Sequence, residues 1–305
     1  MSEDTTSLRA PAEAARAAPD VLRGILLMCA GVALFPLMNA AVKLLTARYP
    51  VIEITWARFT GHLIVMSIVF LPQYGWRLIA TRRPLVQLAR SLLMLVSNGI
   101  FVLAIGSVPL ATASAIGFTS PLIVTALSVP LLREQVGWRR WSAVVVGFAG
   151  ALLIIRPGTG FHDPAVLLLL LSSGAYALYQ IATRWVMAYD NPATGIIFAA
   201  LLGSVGTSLV LPFVFVMPQS LFDLVMLLSL GGLGGLGHFL VIKAFQAAPA
   251  SVIAPLGYVE LLGTAVLGYL IFGNFPDAVT WVGAMIIIAS GLYIAMRERK
   301  RLGIR

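Results

Sequence analysis

The sequence predicts an all-α polytopic membrane protein whose ten transmembrane helices form two inverted five-helix repeats. Three observations predict it: too little charge to coat a soluble domain, apolar stretches of spanning length that follow one another almost without pause, and a weak match of the chain to itself. Of the 305 residues 59% are hydrophobic and 11% charged, with a mean hydropathy of +0.95. A soluble domain carries about 25% charged residues. The single cysteine, Cys29, excludes an internal disulfide and a cysteine-based metal cluster, and in its apolar run it reads as packing.

The elements follow in order. Residues 1–20 are polar and alanine-rich without an apolar core, so they read as a disordered cytoplasmic tail and not as a signal peptide. About 20 mostly apolar residues cross the hydrocarbon. Cutting at charges, prolines and turn residues gives first-half spans near 22–46, 51–73, 84–105, 108–131 and 138–156. The second half gives 164–187, 192–216, 221–246, 250–273 and 277–296. The two repeats are thus 21–157 and 164–297, and 298–305 is a basic cytoplasmic tail. Placing both termini inside collects seventeen of the 21 basic residues there, against Lys43, Arg48 and Arg156 outside and Arg58 within a helix. The net charge of +9 is therefore a topology signal with anionic-headgroup contact, not a nucleic-acid footprint.

An offset of 140 residues aligns Ala104 with Ala244, Pro109 with Pro249, Gly117 with Gly257, Phe118 with Tyr258 and Trp141 with Trp281. An offset of 141 aligns Phe35 with Tyr176, Asn39 with Gln180 and Lys43 with Arg184. Five helices is an odd number, so the second copy enters the membrane from the opposite side. Inverted repeats recur in secondary transporters, with substrate held between the halves near the midplane.

Four segments carry a more specific resemblance: Trp56-Ala-Arg58-Phe59, "VPLATASAIGFTSP" within 104–121, "LLREQVGWRRWSAVVVGFAGALLIIRPG" at 131–158, and "KAFQAAPASVIAPLGYVELLGTAVLGYLIFGNFPD" at 243–277. Through them the chain resembles the drug/metabolite transporter superfamily, of the EamA type. The second-half segment resembles the branch of bacterial riboflavin importers and S-adenosylmethionine carriers more than the amino-acid exporters. The resemblance implies alternating access by a monomer or weak homodimer in the bacterial inner membrane, without ATP hydrolysis.

Ionisable groups inside a bilayer are costly and usually face the bundle interior. Arg58 lies seven residues into the second span, about 10 Å from its end at 1.5 Å per residue. His62 follows one turn later on the same face. Arg58 would anchor an anionic or carbonyl-rich substrate, or else pair with Glu53 or snorkel outward. His62 is a donor, acceptor or proton site, or a hydrogen-bonded interior histidine. Glu260 is the only carboxylate deep in any span and the proton-coupling candidate, with an ion pair to Lys243 or Arg58 as the alternative. Symmetry pairs Asn39 with Gln180, Asn98 with His238 and Ser120 with Glu260, polar residues at equivalent depth. Trp56, Tyr176 and Tyr179 offer rings that could stack on a flat substrate or simply pack, and Tyr258 points away from Glu260 on an ideal helix.

The glycines at 231–237 have the small-xxx-small spacing of close helix packing, with a broken helix as the alternative. No G-x-x-x-x-G-K-[ST], H-E-x-x-H or pair of intramembrane aspartates occurs, so neither a cofactor, a metal nor enzymatic activity is expected. A channel or scaffold explains the isolated polar residues less well than a secondary transporter does. Riboflavin uptake ranks first as substrate, then export of amino acids or related metabolites, then S-adenosylmethionine carriage.

Overall fold

The computed structural model describes residues 20–134, 136–155, 164–187 and 189–301. The polar tail expected over 1–20 lies almost wholly outside them. Among the described residues ten helices are long and apolar enough to cross a membrane. They are α1 (Val21–Leu45), α2 (Val51–Tyr74), α3 (Pro84–Ile105), α4 (Leu110–Leu132) and α5 (Trp138–Ile155) in the first half. The second half has α6 (Pro164–Val186), α7 (Pro192–Val214), α8 (Leu221–Ala247), α9 (Ala250–Ile253 continued by Val259–Phe272) and α10 (Ala278–Arg301). The segment expected as a basic tail over 298–305 thus begins inside α10. Side-chain caps start several helices: Asp20 accepts from the Arg23 amide, Asn191 from Ala193 and Ser220 from Asp223. Large apolar side chains such as Trp76, Leu209, Phe213 and Leu228 stand on the outside, as a lipid-facing surface requires.

The helix contacts come in equivalent pairs. Helix α1 packs on α8 and α9, and its counterpart α6 packs on α3 and α4. Helix α2 packs on α8 as α7 does on α3, and the pairs α2–α7, α4–α9 and α5–α10 each join a helix to its own counterpart. On the dividing line, the matched residues Phe118 and Tyr258 touch ring to ring at 5.1 Å. The fold is two inverted five-helix repeats.

Lipid tails give apolar helices no hydrophobic reason to associate, so contact area and close backbone approach must do it. The glycines supply that approach. Any Cβ on Gly231 would strike the backbone of Gly61 in α2, and one on Gly237 would meet Phe35 and the Gly31 carbonyl in α1. Helix α8 runs unbroken through these glycines, so they are packing residues. The breaks lie elsewhere. Helix α4 stops at Gly117 and restarts at Ser120, and α9 passes through a 3₁₀ turn over Ala254–Tyr258 before restarting at Val259. The continuous spans expected at 108–131 and 250–273 are therefore each two pieces. A proline (Pro121, Pro255) and a glycine (Gly117, Gly257) lie in or beside each break, the usual cause of helix interruption.

Polar staples close the loops at both ends. At one end Arg48 Nη1 meets Asp223 at 3.1 Å, Tyr49 donates to Asp223 at 2.9 Å, and Glu53 accepts from the Val216 amide at 3.0 Å. Nearby Lys43 Nζ donates to the Ile105 and Val108 carbonyls at 2.8 and 2.7 Å, holding the α3–α4 turn. At the basic end Asp190 accepts from Thr81, from the Arg82 amide at 3.0 Å and from Gln87 at 2.9 Å. Burial alone would raise the Asp190 carboxyl, but the bonds from Thr81, Arg82 and Gln87, with the Arg82 charge, outweigh it and hold it below its ordinary value. The offset of 140 carries Tyr49 to Tyr189 and Arg83 to Asp223, so the staples occupy equivalent corners. Arg184 at the basic end pairs with Glu134 at 2.8 Å.

Candidate functional site

A cavity of about 370 Å³ lies between the halves, within the roughly 300–1,000 Å³ of small-molecule sites. Helices α1, α2, α8 and α9 supply Phe35, Met38, Asn39, Arg58, His238 and Glu260. Helices α3, α4 and α6 supply the opposite wall, including Asn98, Phe101, Phe118, Ser120, Tyr176 and Gln180.

Glu260 is placed by the break in α9. It lies in the first turn of Val259–Phe272, where the helix dipole favours negative charge. The same break in α4 puts Ser120 at the start of the second half-helix. Each half-helix start is met by the amide expected from symmetry: Asn39 Nδ2 donates to Glu260 Oε1 at 3.4 Å, and Gln180 Nε2 to Ser120 Oγ at 2.8 Å. Half-helix termini at the midplane are how secondary transporters hold polar substrate groups in an apolar slab.

Arg58 enters from α2. In the amide orientation that satisfies both partners, Asn98 Oδ1 accepts from Arg58 Nη1 at 3.0 Å and Nε at 3.3 Å. Glu53, the possible partner within α2, instead faces the Val216 amide. Arg58 and Glu260 lie within electrostatic reach of each other across the cavity, and Tyr176 is close to both. Lys243 is exposed with its ammonium over the Phe239 ring at 5.6 Å, away from Glu260. The cavity thus brings the Arg58 guanidinium and the Glu260 carboxyl group together with amides, hydroxyls and aromatic rings.

Seven of the expected residues line this cavity: Asn39, Arg58, Asn98, Tyr176, Gln180, His238 and Glu260. Four stand outside its lining. His62 lies behind His238, ring centroids 5.5 Å apart. Trp56 donates to Ser208 at 2.9 Å and ties α2 to α7, because it occupies the α7-facing side of α2. Tyr179 stacks behind Tyr176 at 5.6 Å. Tyr258 turns its hydroxyl against Gly291 in α10, since the 3₁₀ turn rotates it out of the cavity. Sequence reasoning missed Phe35, Phe101 and Phe118 as walls. Phe35 packs edge-on against His238 at 5.0 Å, and the alignment of Phe35 with Tyr176 was the available signal. Arg90, one of the seventeen basic residues assigned to the cytoplasmic side, is 2% exposed, a burial that sequence reasoning did not foresee.

The cavity has no cluster of three or more metal-binding side chains among the described residues. Such a lining has the groups for recognition: a carboxyl that could meet a cationic group, a guanidinium that could meet an anionic one, and rings that could stack on a flat heterocycle.

Among known proteins the chain is similar to transporters. The chain is 31% identical to the S-adenosylmethionine uptake transporter of Rickettsia prowazekii over 260 residues, 85% of this chain and 88% of the relative. It is 28% identical to the riboflavin transporter of Rhizobium johnstonii, over 92% and 93% of the two chains. It is also 28% identical to the pseudopaline exporter CntI of Pseudomonas aeruginosa, over 92% and 99%. A solved crystal structure superposes on 92% of this chain and 98% of its own with a TM-score of 0.62 at 17% identity, which shows a shared fold. The EamA-like transporter family matches residues 22–156 and 163–296, one match per repeat, and the chain belongs to that family.

Proposed function

We propose that this transporter moves a small heteroaromatic metabolite bearing a zwitterionic group across the bacterial inner membrane, by alternating access and without ATP. S-adenosylmethionine is the substrate the site favours. The observation that carries this reading is the presence of both Arg58 and Glu260 on one cavity. A carboxylate would meet Arg58, an ammonium or sulfonium Glu260, and a nucleobase the Tyr176–Phe118 side. Charges left unpaired in such a site are expensive, so a substrate supplying complements to both Arg58 and Glu260 gains most. The Rickettsia likeness points the same way. Riboflavin is the second reading: it is neutral, and the rings and amides of Phe35, Tyr176, Asn98 and Gln180 suit its flat, hydrogen-bonding face. It ranked first on the sequence alone, and the paired charges reverse the order. Export of amino acids or a related zwitterion stands third, with the pseudopaline exporter as its nearest support.

Glu260 is also the group proposed to exchange a proton during the cycle, as the carboxylate of the α9 half-helix. The orientation with both termini cytoplasmic puts the Asp190 staple inside and the Asp223 staple outside, the two repeats at 21–157 and 164–297, and the 1–20 and 298–305 tails in the cytoplasm. A monomer or weak homodimer suffices, since one chain encloses the cavity. The test is uptake of labelled S-adenosylmethionine into proteoliposomes under an imposed proton gradient, with riboflavin and amino acids as competitors. Saturable uptake resisted by riboflavin and abolished by excess S-adenosylmethionine supports the first reading. Strong competition by riboflavin, with no S-adenosylmethionine uptake, replaces it with the second.

A further inference from the structure

Arg90 of α3 is 2% exposed, a full charge inside the bundle that does not line the cavity. Its contacts run in two directions. Toward the basic end, Nη1 donates to Gln87 Oε1 at 2.9 Å, and Gln87 Nε2 in turn donates to Asp190 at 2.9 Å in the α6–α7 loop. Toward the cavity, Nη2 donates to the Tyr179 hydroxyl at 3.2 Å, and the guanidinium lies over the Tyr179 ring at 4.9 Å. Nη2 also donates to the Gly195 carbonyl at 2.7 Å, fixing the guanidinium to α7. The Tyr179 ring is stacked on Tyr176, 19° from parallel, and Tyr176 is the cavity wall.

Each part has a physical reason to be rigid. A buried guanidinium gains from every donor it can pair. Nη1 and Nη2 are held by Gln87, Tyr179 and Gly195 while Nε meets no acceptor, so none of those three can drift without leaving a further buried donor unpaired. Gly195 leaves room for the guanidinium: a Cβ there would collide with it and force Arg90 to shift. Offsets of 140 and 141 put Leu230 and Gly231 at the matching place in α8, so the second repeat lacks this element.

We propose that Arg90 is a positioning residue for substrate recognition, setting the Tyr179–Tyr176 stack from the Asp190 loop so that the state of the basic end is read at the cavity wall. Opening the Asp190 staple frees Gln87, loosens Arg90 and lets the Tyr176 ring rotate, which weakens the hold on a flat substrate as that end opens. The inference deepens the reading above and rests on Tyr176 being a substrate wall.

Fluorotyrosine placed at 176, and at the lipid-exposed Tyr269 as control, gives a fluorine resonance that needs no ligand. Asp190→Asn and Arg90→Lys are each expected to shift or broaden the resonance at 176 and leave that at 269 unchanged. Asp190→Asn, at the loop, keeps the test usable where Arg90→Lys misfolds. An unmoved 176 resonance in the folded variants overturns the inference. In uptake of labelled S-adenosylmethionine, Asp190→Asn should raise KM several-fold in the native background and not at all beside Tyr176→Ala. Additive KM effects overturn the relay. Tyr176→Ala alone leaving KM unchanged for both S-adenosylmethionine and riboflavin overturns the substrate reading instead, and the fluorine result then stands separately.

Discussion

The same contact is built twice in this molecule, and the two versions differ in charge. In one repeat an amide of α6, Gln180, meets the hydroxyl of Ser120 at the break in α4. In the other an amide of α1, Asn39, meets the carboxylate of Glu260 at the break in α9. The broken helices, the half-helix starts and the amide donors are common to both, so they belong to the scaffold. Among the residues lining the cavity, carboxylate and guanidinium occur once each, and the places matching Arg58 at offsets of 140 and 141 hold Phe198 and Ala199. Charge in the membrane interior is costly and usually functional. The unmatched residues on the cavity are therefore where the proposed recognition concentrates.

The largest effect should come from the packing that both versions share. Gly231→Val drives a side chain into the Gly61 backbone, and it should remove folded, monodisperse protein altogether, beyond the about 1–3 kcal/mol typical of overpacking. Gly232→Val, one residue on with open space around it, should leave size-exclusion behaviour and thermal stability unchanged. Equal damage from the two would mean that α2 and α8 do not meet through Gly231.

Next in size are the unmatched charges. Glu260→Gln and Arg58→Ala should each lower kcat/KM for uptake by about tenfold or more, since losing one partner of a buried charged contact costs about 2–5 kcal/mol. Arg58→Ala should act mostly on KM for carboxylate-bearing substrates. Glu260→Gln should also flatten the dependence of uptake on an imposed pH gradient. Unaltered pH dependence in that variant would remove the proton role.

Ser120→Ala and Gln180→Ala test the neutral version and should cost less, about fivefold or under, in line with about 1 kcal/mol for an uncharged hydrogen bond. If they match Glu260→Gln in size, the contrast between the repeats is broken.

The smallest effect concerns the loops. The depressed Asp190 carboxyl contributes stability that is present above its ordinary value of 3.8 and is lost as pH falls through the lower folded value. Asp190→Asn should therefore lower the Tm in detergent slightly at pH 7, and the difference from the parent protein should shrink as pH falls below 3.8. A difference that stays constant as pH is lowered through the acid range would mean that charge on Asp190 is not what the staple uses.

Helix number and placement were legible because spanning segments are long, apolar and punctuated by Lys, Arg, Pro and Gly. The repeat was legible in paired residues such as Phe118 and Tyr258, which the structure brings into contact. The breaks in α4 and α9 were not, although Gly117, Pro121, Pro255 and Gly257 were in plain sight. Membrane helices tolerate Pro and Gly, so the same residues mark an intact helix or a broken one. The burial of Arg90 was hidden for a related reason: near a helix end an exposed and a buried charge look alike until neighbouring helices supply Tyr179 and Gly195. Phe35 and Phe118 were hidden among many phenylalanines, since nothing in an apolar pattern distinguishes a cavity wall from a lipid-facing ring.

The proposal at the centre is that the two cavity charges without a counterpart in the other repeat, Arg58 and Glu260, hold the substrate. Equilibrium binding of labelled S-adenosylmethionine to the purified protein, compared among the parent chain, Arg58→Ala, Glu260→Gln and Gln180→Ala, tests it most directly. The account predicts saturable binding that falls about tenfold or more in the first two variants and no more than about fivefold in the third. Binding that is unchanged in Arg58→Ala and Glu260→Gln, or lost equally in Gln180→Ala, would contradict it.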